Sequence, residues 1–231
     1  MNVELQPAYI LHTRPYRDTS MLIDFFTPQM GRVTAVARGV RSKKNARRNL
    51  LNPFSRLLIS YQGKSGLKLL THFESEQLSF SLTAKHLYSG FYLNELLLRL
   101  LPEQDAHEEL FLLYENALKS LALQMDLEPI LRHFELRLLE SLGYGIHFEQ
   151  DAKTGLDVKS DEFYVLDIAL GFYLPEQQIV GMQLFLGEHL LAIGQGDYAS
   201  PQVKQAAKRI TRILLRPLLG SKPLASRELF A

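Results

Sequence analysis

With 231 residues, 46% of them hydrophobic and 22% charged, the chain has the composition of a soluble globular protein and the length to bury a substantial core. It has no cysteine, which excludes disulfides, thiol nucleophiles and thiolate zinc sites, and no tryptophan, which leaves aromatic stacking to 10 tyrosines and 13 phenylalanines. The net charge of +1 conceals a segregation: residues 1–80 carry 12 basic and 5 acidic residues (+7), residues 81–200 carry 7 and 19 (−12), and residues 201–231 carry 7 and 1 (+6).

The opening stretch MNVELQPAYI has an acid where a secretory signal carries basic residues. No apolar run reaches the roughly 18–20 residues of a membrane span. The expected setting is the cytoplasm, without membrane contact.

Residues 1–80 read as strands. The segments 9–13, 21–26, 32–37, 56–61 and 67–73 are short and rich in β-branched, aromatic or aliphatic residues, and TRPYRD, TPQMG and QGKSG separate them as turns. Five short strands in about 80 residues suit a small closed barrel of the oligonucleotide/oligosaccharide-binding (OB) type, because closure removes exposed edges. The third and fourth strands are joined by ARGVRSKKNARRNLLNPF, residues 37–54, where six basic residues (Arg38, Arg41, Lys43, Lys44, Arg47, Arg48) occur with no acid. A solvated loop would mix signs, and long loops often carry function. Contact with nucleic-acid phosphates explains the bias, since each neutralised phosphate releases condensed cations. Arg14, Arg17, Arg32, Lys64 and Lys68 extend the basic set. Tyr16, Phe25, Phe26, Phe54, Tyr61 and Phe73 are available for base stacking, although most aromatics of so small a barrel are expected in its core.

From residue 81 the period changes to 3.6. Helices are expected over 84–102, ended by Pro102; over 105–124, with an acidic first turn; and over 126–145, started at Asp126 or Glu128 and stopped at Gly143. Residues 147–175 read as an inserted loop or hairpin, and 177–194 as a further helix weakened by two glycines. The last helix begins with Ser200 as cap and Pro201 in its first turn. Along it, Lys204, Lys208, Arg212 and Arg216 recur every four residues beside an apolar face. That stripe is a solvated face, a dock for an acidic partner peptide, or a second phosphate contact.

No catalytic constellation emerges. GKSG at 63–66 lacks the glycine of a phosphate loop, with Leu58 in its place, and precedes a strand. His133 with Glu135, and His147 with Glu149 and Asp151, have no metal-ligand spacing and read as surface or capping residues. Neither a cofactor nor a metal is expected.

The segment ILHTRPYRDTSMLIDFFTPQMGRVTAVARGVRSKKN, followed by LLNPFSRLLISYQGKSGLKLLTHFE, resembles the N-terminal domain of the RecO family of bacterial recombination mediators. The ending LLRPLLGSKPLASREL resembles that family's C-terminal region, so the likeness spans the whole chain. Its most specific piece is MGRVTAVARGVR. The resemblance implies an α+β protein: a five-stranded OB barrel over residues 1–80, then a mainly α-helical domain over 81–231 with an inserted region near 147–175. It implies a non-enzymatic role in DNA repair and recombination. The family binds single- and double-stranded DNA, anneals complementary strands, and helps load RecA onto DNA coated by single-strand-binding protein, usually with RecR. A nucleoid-associated location follows. An RNA-binding or protein-adaptor module is the alternative.

Carried over, Arg38, Arg41, Lys43 and Lys44 lie in the family's basic segment, with Arg47 and Arg48 added by charge, and Arg14 lies in the TRPY segment. Arg17, Arg32 and Lys64 complete the expected DNA-contacting set. Lys204, Lys208, Arg212 and Arg216 are the expected grip on the acidic tail of single-strand-binding protein. The chain departs from its relatives in two ways. Many of them hold zinc with four cysteines near 147–175, which must here stabilise itself by packing. Where the family often has Gly-Glu after the tyrosine, this chain has Arg17-Asp18.

Overall fold

The computed structural model describes residues 2–42, 49–63, 66–177 and 181–230. They form two compact units, residues 1–125 with 222–231, and residues 126–221.

In the first unit, strands β1 (Asn2–Tyr16), β2 (Ser20–Thr27), β3 (Gly31–Ala37), β4 (Ser55–Gln62) and β5 (Lys68–Ser79) close into a barrel in the order β1-β2-β3-β5-β4. All pairings are antiparallel except β3 with β5, where Ala35 faces Lys68 and Val36 faces Leu69. Alternate residues fill the interior: Ala8 and Ile10, Ile23 and Phe25, Val33 and Ala35, Leu57 and Ile59.

Strict alternation is missing because β1 and β2 are covered on both faces. Tyr9 and Phe26 point away from the barrel core, yet each is fully buried against Phe111 and Tyr114 of a helix, with ring centroids 5.2–6.0 Å apart. That helix is α2 (Glu108–Ala122), which packs beside α1 (Ala84–Leu100). α1 ends just before Pro102, which cannot continue a helix.

Polar bonds set the docking angle. Buried Asn94 of α1 donates to the Leu11 carbonyl at 2.8 Å and accepts from the Tyr114 hydroxyl at 2.5 Å. Glu115 accepts from the Tyr9 hydroxyl at 2.9 Å and from Arg56, whose Nε also donates to Glu76 at 2.7 Å. The β2–β3 turn rests on the chain after α1, with the Gln104 N–H donating to the Met30 carbonyl at 3.0 Å and the His107 N–H to that of Pro28 at 2.8 Å. Gly31 is required there: its φ is +55°, and a Cβ would lie 2.4 Å from the Asp105 carbonyl oxygen. A final 3₁₀ helix (Ala225–Phe230) returns to α1, where Glu95 accepts from the Ala225 and Ser226 N–H groups at 2.9 and 2.8 Å.

The second unit contains α3 (Leu127–Ser141), β6 (Phe163–Asp167), β7 (Gly171–Tyr173), β8 (Leu184–Leu186), α4 (Gly187–Gly194) and α5 (Pro201–Leu219). The expected helix over 177–194 is corrected: among its described residues the last eight are helical, and Leu184–Leu186 pairs with β6 in a sheet ordered β7-β6-β8. Tertiary pairing overrides the local helical pattern there. Gly187 is also explained by packing, since a Cβ would lie 1.9 Å from the Lys159 carbonyl oxygen. Ser200 occupies the N-cap position of α5 without capping it, and its hydroxyl donates instead to Gln202 at 2.7 Å.

Residues 147–175 are stapled by one carboxylate. Asp151 is buried; its Oδ1 accepts from the N–H groups of Lys153 (2.9 Å) and Thr154 (2.8 Å), and its Oδ2 from Leu174 (2.6 Å). Phe148, Phe172 and Phe185 pack beside it with centroids 5.5 and 5.8 Å apart. Burial opposes ionisation of Asp151, but the donated N–H groups outweigh it and hold the acid below its usual range.

Two outcomes follow. Asn94→Ala leaves the Leu11 carbonyl without its donor and opens a void, so urea denaturation should show a loss of about 2–4 kcal/mol. A loss under about 0.5 kcal/mol would remove this contact from the docking argument. Because the folded-state acidity of Asp151 is depressed, its stabilisation is complete above the unfolded value of about 3.9 and fades as pH falls through the folded value. Asp151→Asn should destabilise the protein at neutral pH by about 1–3 kcal/mol and flatten the acid limb of its stability profile. An unaltered acid limb would contradict this.

Candidate nucleic-acid interface

Three pieces of chain distant in sequence meet at one edge of the barrel. The turn between β1 and β2 brings Arg17, the chain leaving β3 brings Arg38, and the first residue of β5 is Lys68. These three line a recess of about 370 Å³ together with Tyr16, Thr19 and Ser20. Because β3 and β5 run parallel and in register at Ala35 and Lys68, a residue 30 positions from Arg38 is placed beside it.

Local bonds hold the recess in shape. The Arg41 N–H donates to the Thr19 carbonyl at 2.9 Å, and its guanidinium donates to the Arg17 carbonyl at 3.2 Å. Arg41 therefore braces the turn that carries Arg17. Arg17 itself has φ of 50°, in the left-handed region that glycine adopts most easily. Its guanidinium lies 5.3 Å from the centroid of the Tyr16 ring.

The field at this edge is positive. Arg14, Arg17 and Arg38 are exposed and have no ion-pair partner among the described residues. Of the two acids between residues 10 and 41, Asp24 is buried, accepts from Thr34 at 2.7 Å and lies 3.6 Å from His12. Asp18 is exposed in the turn. Arg32 is used within the fold, with its guanidinium 3.4 Å from Glu103 and donating to the Leu101 carbonyl. Lys43, Lys44, Arg47, Arg48 and Lys64 lie outside the described residues.

Five of the six aromatics singled out from the sequence are excluded as stacking platforms. Phe25, Phe26, Phe54, Tyr61 and Phe73 are all buried, whereas Tyr16 is half-buried at the recess. Sequence reasoning noted that Lys68 is basic but did not place it in the site. Its only local signal was a lysine opening an otherwise apolar strand.

The stripe on α5 is divided. Lys204 is paired with Asp126 and Lys208 with Glu128 at 2.7 Å, both from the start of α3. Arg212 and Arg216 are exposed and have no ion-pair partner among the described residues. The histidine clusters are absorbed by structure: Glu135 pairs with Arg132 at 3.0 Å, and Asp151 is the staple described above.

The first unit is thus a five-stranded barrel, followed by helices, with a recess at one edge whose charge suits a polyanion. Residues 1–78 match the family model described as Recombination protein O N terminal, and residues 82–228 match Recombination protein O C terminal. The chain belongs to the recombination protein O family. It is 53% identical over 230 residues to DNA repair protein RecO of Cellvibrio japonicus, covering 100% of this chain and 98% of that one. The corresponding protein of Haemophilus influenzae Rd is 43% identical over 230 residues, at 100% and 97% coverage. That of Actinobacillus succinogenes is 42% identical over 226 residues, at 98% and 94%.

Proposed function

We propose that this chain is a non-enzymatic DNA repair and recombination mediator. It binds single- and double-stranded DNA, anneals complementary strands, and assists RecA loading onto DNA coated by single-strand-binding protein, together with RecR. Its place is the cytoplasm, at the nucleoid. The observation that carries this reading is the recess lined by Arg17, Arg38 and Lys68 on a barrel whose strand order suits the OB fold. Family membership and the names of the relatives support it.

DNA contact is assigned to residues 1–80 through Arg14, Arg17, Arg38 and Arg41. Lys43, Lys44, Arg47, Arg48 and Lys64 join the set by charge alone, and Arg32 acts indirectly by holding the strand. The mechanism is electrostatic. Two strands brought together repel through their phosphates, and the basic edge lowers that repulsion. Watson–Crick pairing then supplies sequence specificity, so no base-edge readout is needed.

Partner contact is assigned to residues 81–231, where α5 takes the acidic, apolar-ended tail of single-strand-binding protein. Arg212 and Arg216 are the effective grip, because Lys204 and Lys208 already face acids.

Annealing of complementary strands coated by single-strand-binding protein tests the whole reading. Acceleration that requires the acidic tail is expected. No acceleration with either form of the coating protein at moderate salt would favour an RNA-binding or adaptor module instead. The grip has its own test: replacing Arg212 and Arg216 with alanine should weaken tail-peptide binding about tenfold, near 1.4 kcal/mol. Unchanged affinity in isothermal titration would reject that assignment.

A further inference from the structure

The side chain of Lys68 is covered to a degree unusual for a lysine. The other fully charged residues buried among the described ones are Asp24, Arg132, Glu135 and Asp151. Each has a counterpart: Thr34 for Asp24, Arg132 and Glu135 for one another, and backbone N–H groups for Asp151. Lys68 is 5% exposed and has no acid or hydrogen-bond acceptor among the described residues. It lines the same recess as Arg17 and Arg38, so three cations converge on a cavity of about 370 Å³. The Lys68 stem is covered while the residue lines the recess, so an anion entering there meets three cations at once.

We infer that the recess is a single-strand-selective phosphate site anchored by Lys68, while the exposed arginines outside it serve single strands and duplex alike. The inference rests on the DNA-binding reading above and deepens it. A duplex presents its phosphates on a stiff convex cylinder, with its bases stacked inside. A single strand can turn one phosphate inward and lay an unstacked base on nearby apolar surface. The recess offers that surface in half-buried Tyr16 and in Leu67, which is 45% exposed. Tyr16, Thr19 and Ser20 add hydroxyl donors to the three cations.

The test is binding of the full chain to a labelled oligothymidine and to a duplex of equal length across a salt series. Lys68→Met removes the charge and keeps the stem. It should weaken single-strand binding about tenfold, lower that salt slope by about 0.7, and change duplex binding less than about twofold. Its melting temperature should change little, which separates loss of a binding group from loss of folding. Arg38→Gln, at an exposed position, should show the same preferential loss. Arg14→Ala should weaken both ligands alike. Equal losses on both ligands in Lys68→Met and Arg38→Gln, or no loss on the single strand, would overturn the selective site while leaving DNA binding intact. Absence of salt-dependent binding by the unaltered protein would overturn the DNA reading itself, and the inference with it.

Discussion

Burial of β1 on both faces is the constraint on which the N-terminal unit depends. One row of its side chains fills the barrel, and the other, led by Tyr9, packs on α2. A strand sandwiched this way has its register set twice, once by the ladder to β2 and β4 and once by the helices. Asn94 and Glu115 add direction to the apolar contact, because a hydrogen bond to the Leu11 carbonyl or the Tyr9 hydroxyl forms in one alignment only. The same strand runs on to Arg14 and Tyr16 and delivers the turn that bears Arg17. The cationic edge is therefore mounted on the most constrained part of the unit, and a preorganised site loses less entropy on binding.

Charge is distributed with equal economy. The acidic middle of the sequence supplies Glu103 and Glu115 to Arg32 and Arg56 of the barrel, and Asp126 and Glu128 to Lys204 and Lys208 of α5. Paired charges contribute little field beyond a Debye length of about 8–10 Å. Among the described residues left exposed without an acid are Arg14, Arg17 and Arg38 at the barrel edge, and Arg212 and Arg216 on α5. A segment sum of +7 thus overstates some basic residues and says nothing of which ones are left over.

Much of the fold was legible because its signals are local. The five strands and the helices α1 to α3 follow from short apolar runs, turn residues and a 3.6 period, and the observed elements overlap each of them. The failures share a nonlocal cause. Leu184–Leu186 is a strand because β6 lies beside it, and that pairing leaves no trace in the helical period of 177–194. Most barrel aromatics were expected in the core, and Phe25, Tyr61 and Phe73 are there, but only a helix from beyond residue 84 explains the burial of Phe26 on the other face. For the candidate site, composition singled out Arg17 and Arg38, and Lys68 joins them at the recess only through the parallel pairing of β3 with β5. Ser200 was read as a cap from its position, whereas the hydroxyl bonded within its own turn.

The recess also collects features that folding alone does not favour. A non-glycine residue in the left-handed region, here Arg17, costs of order 1 kcal/mol, and three cations drawn to one recess repel one another. Backbone strain of the first kind recurs elsewhere in the chain, for example at Phe54 and Gln104, and by itself marks nothing. The second feature is the gathering of Arg17, Arg38 and Lys68 on one recess. Arg41 meanwhile spends its guanidinium on carbonyls that keep the strained turn in place. A turn braced beside converging cations holds their charge in place for an incoming anion to match.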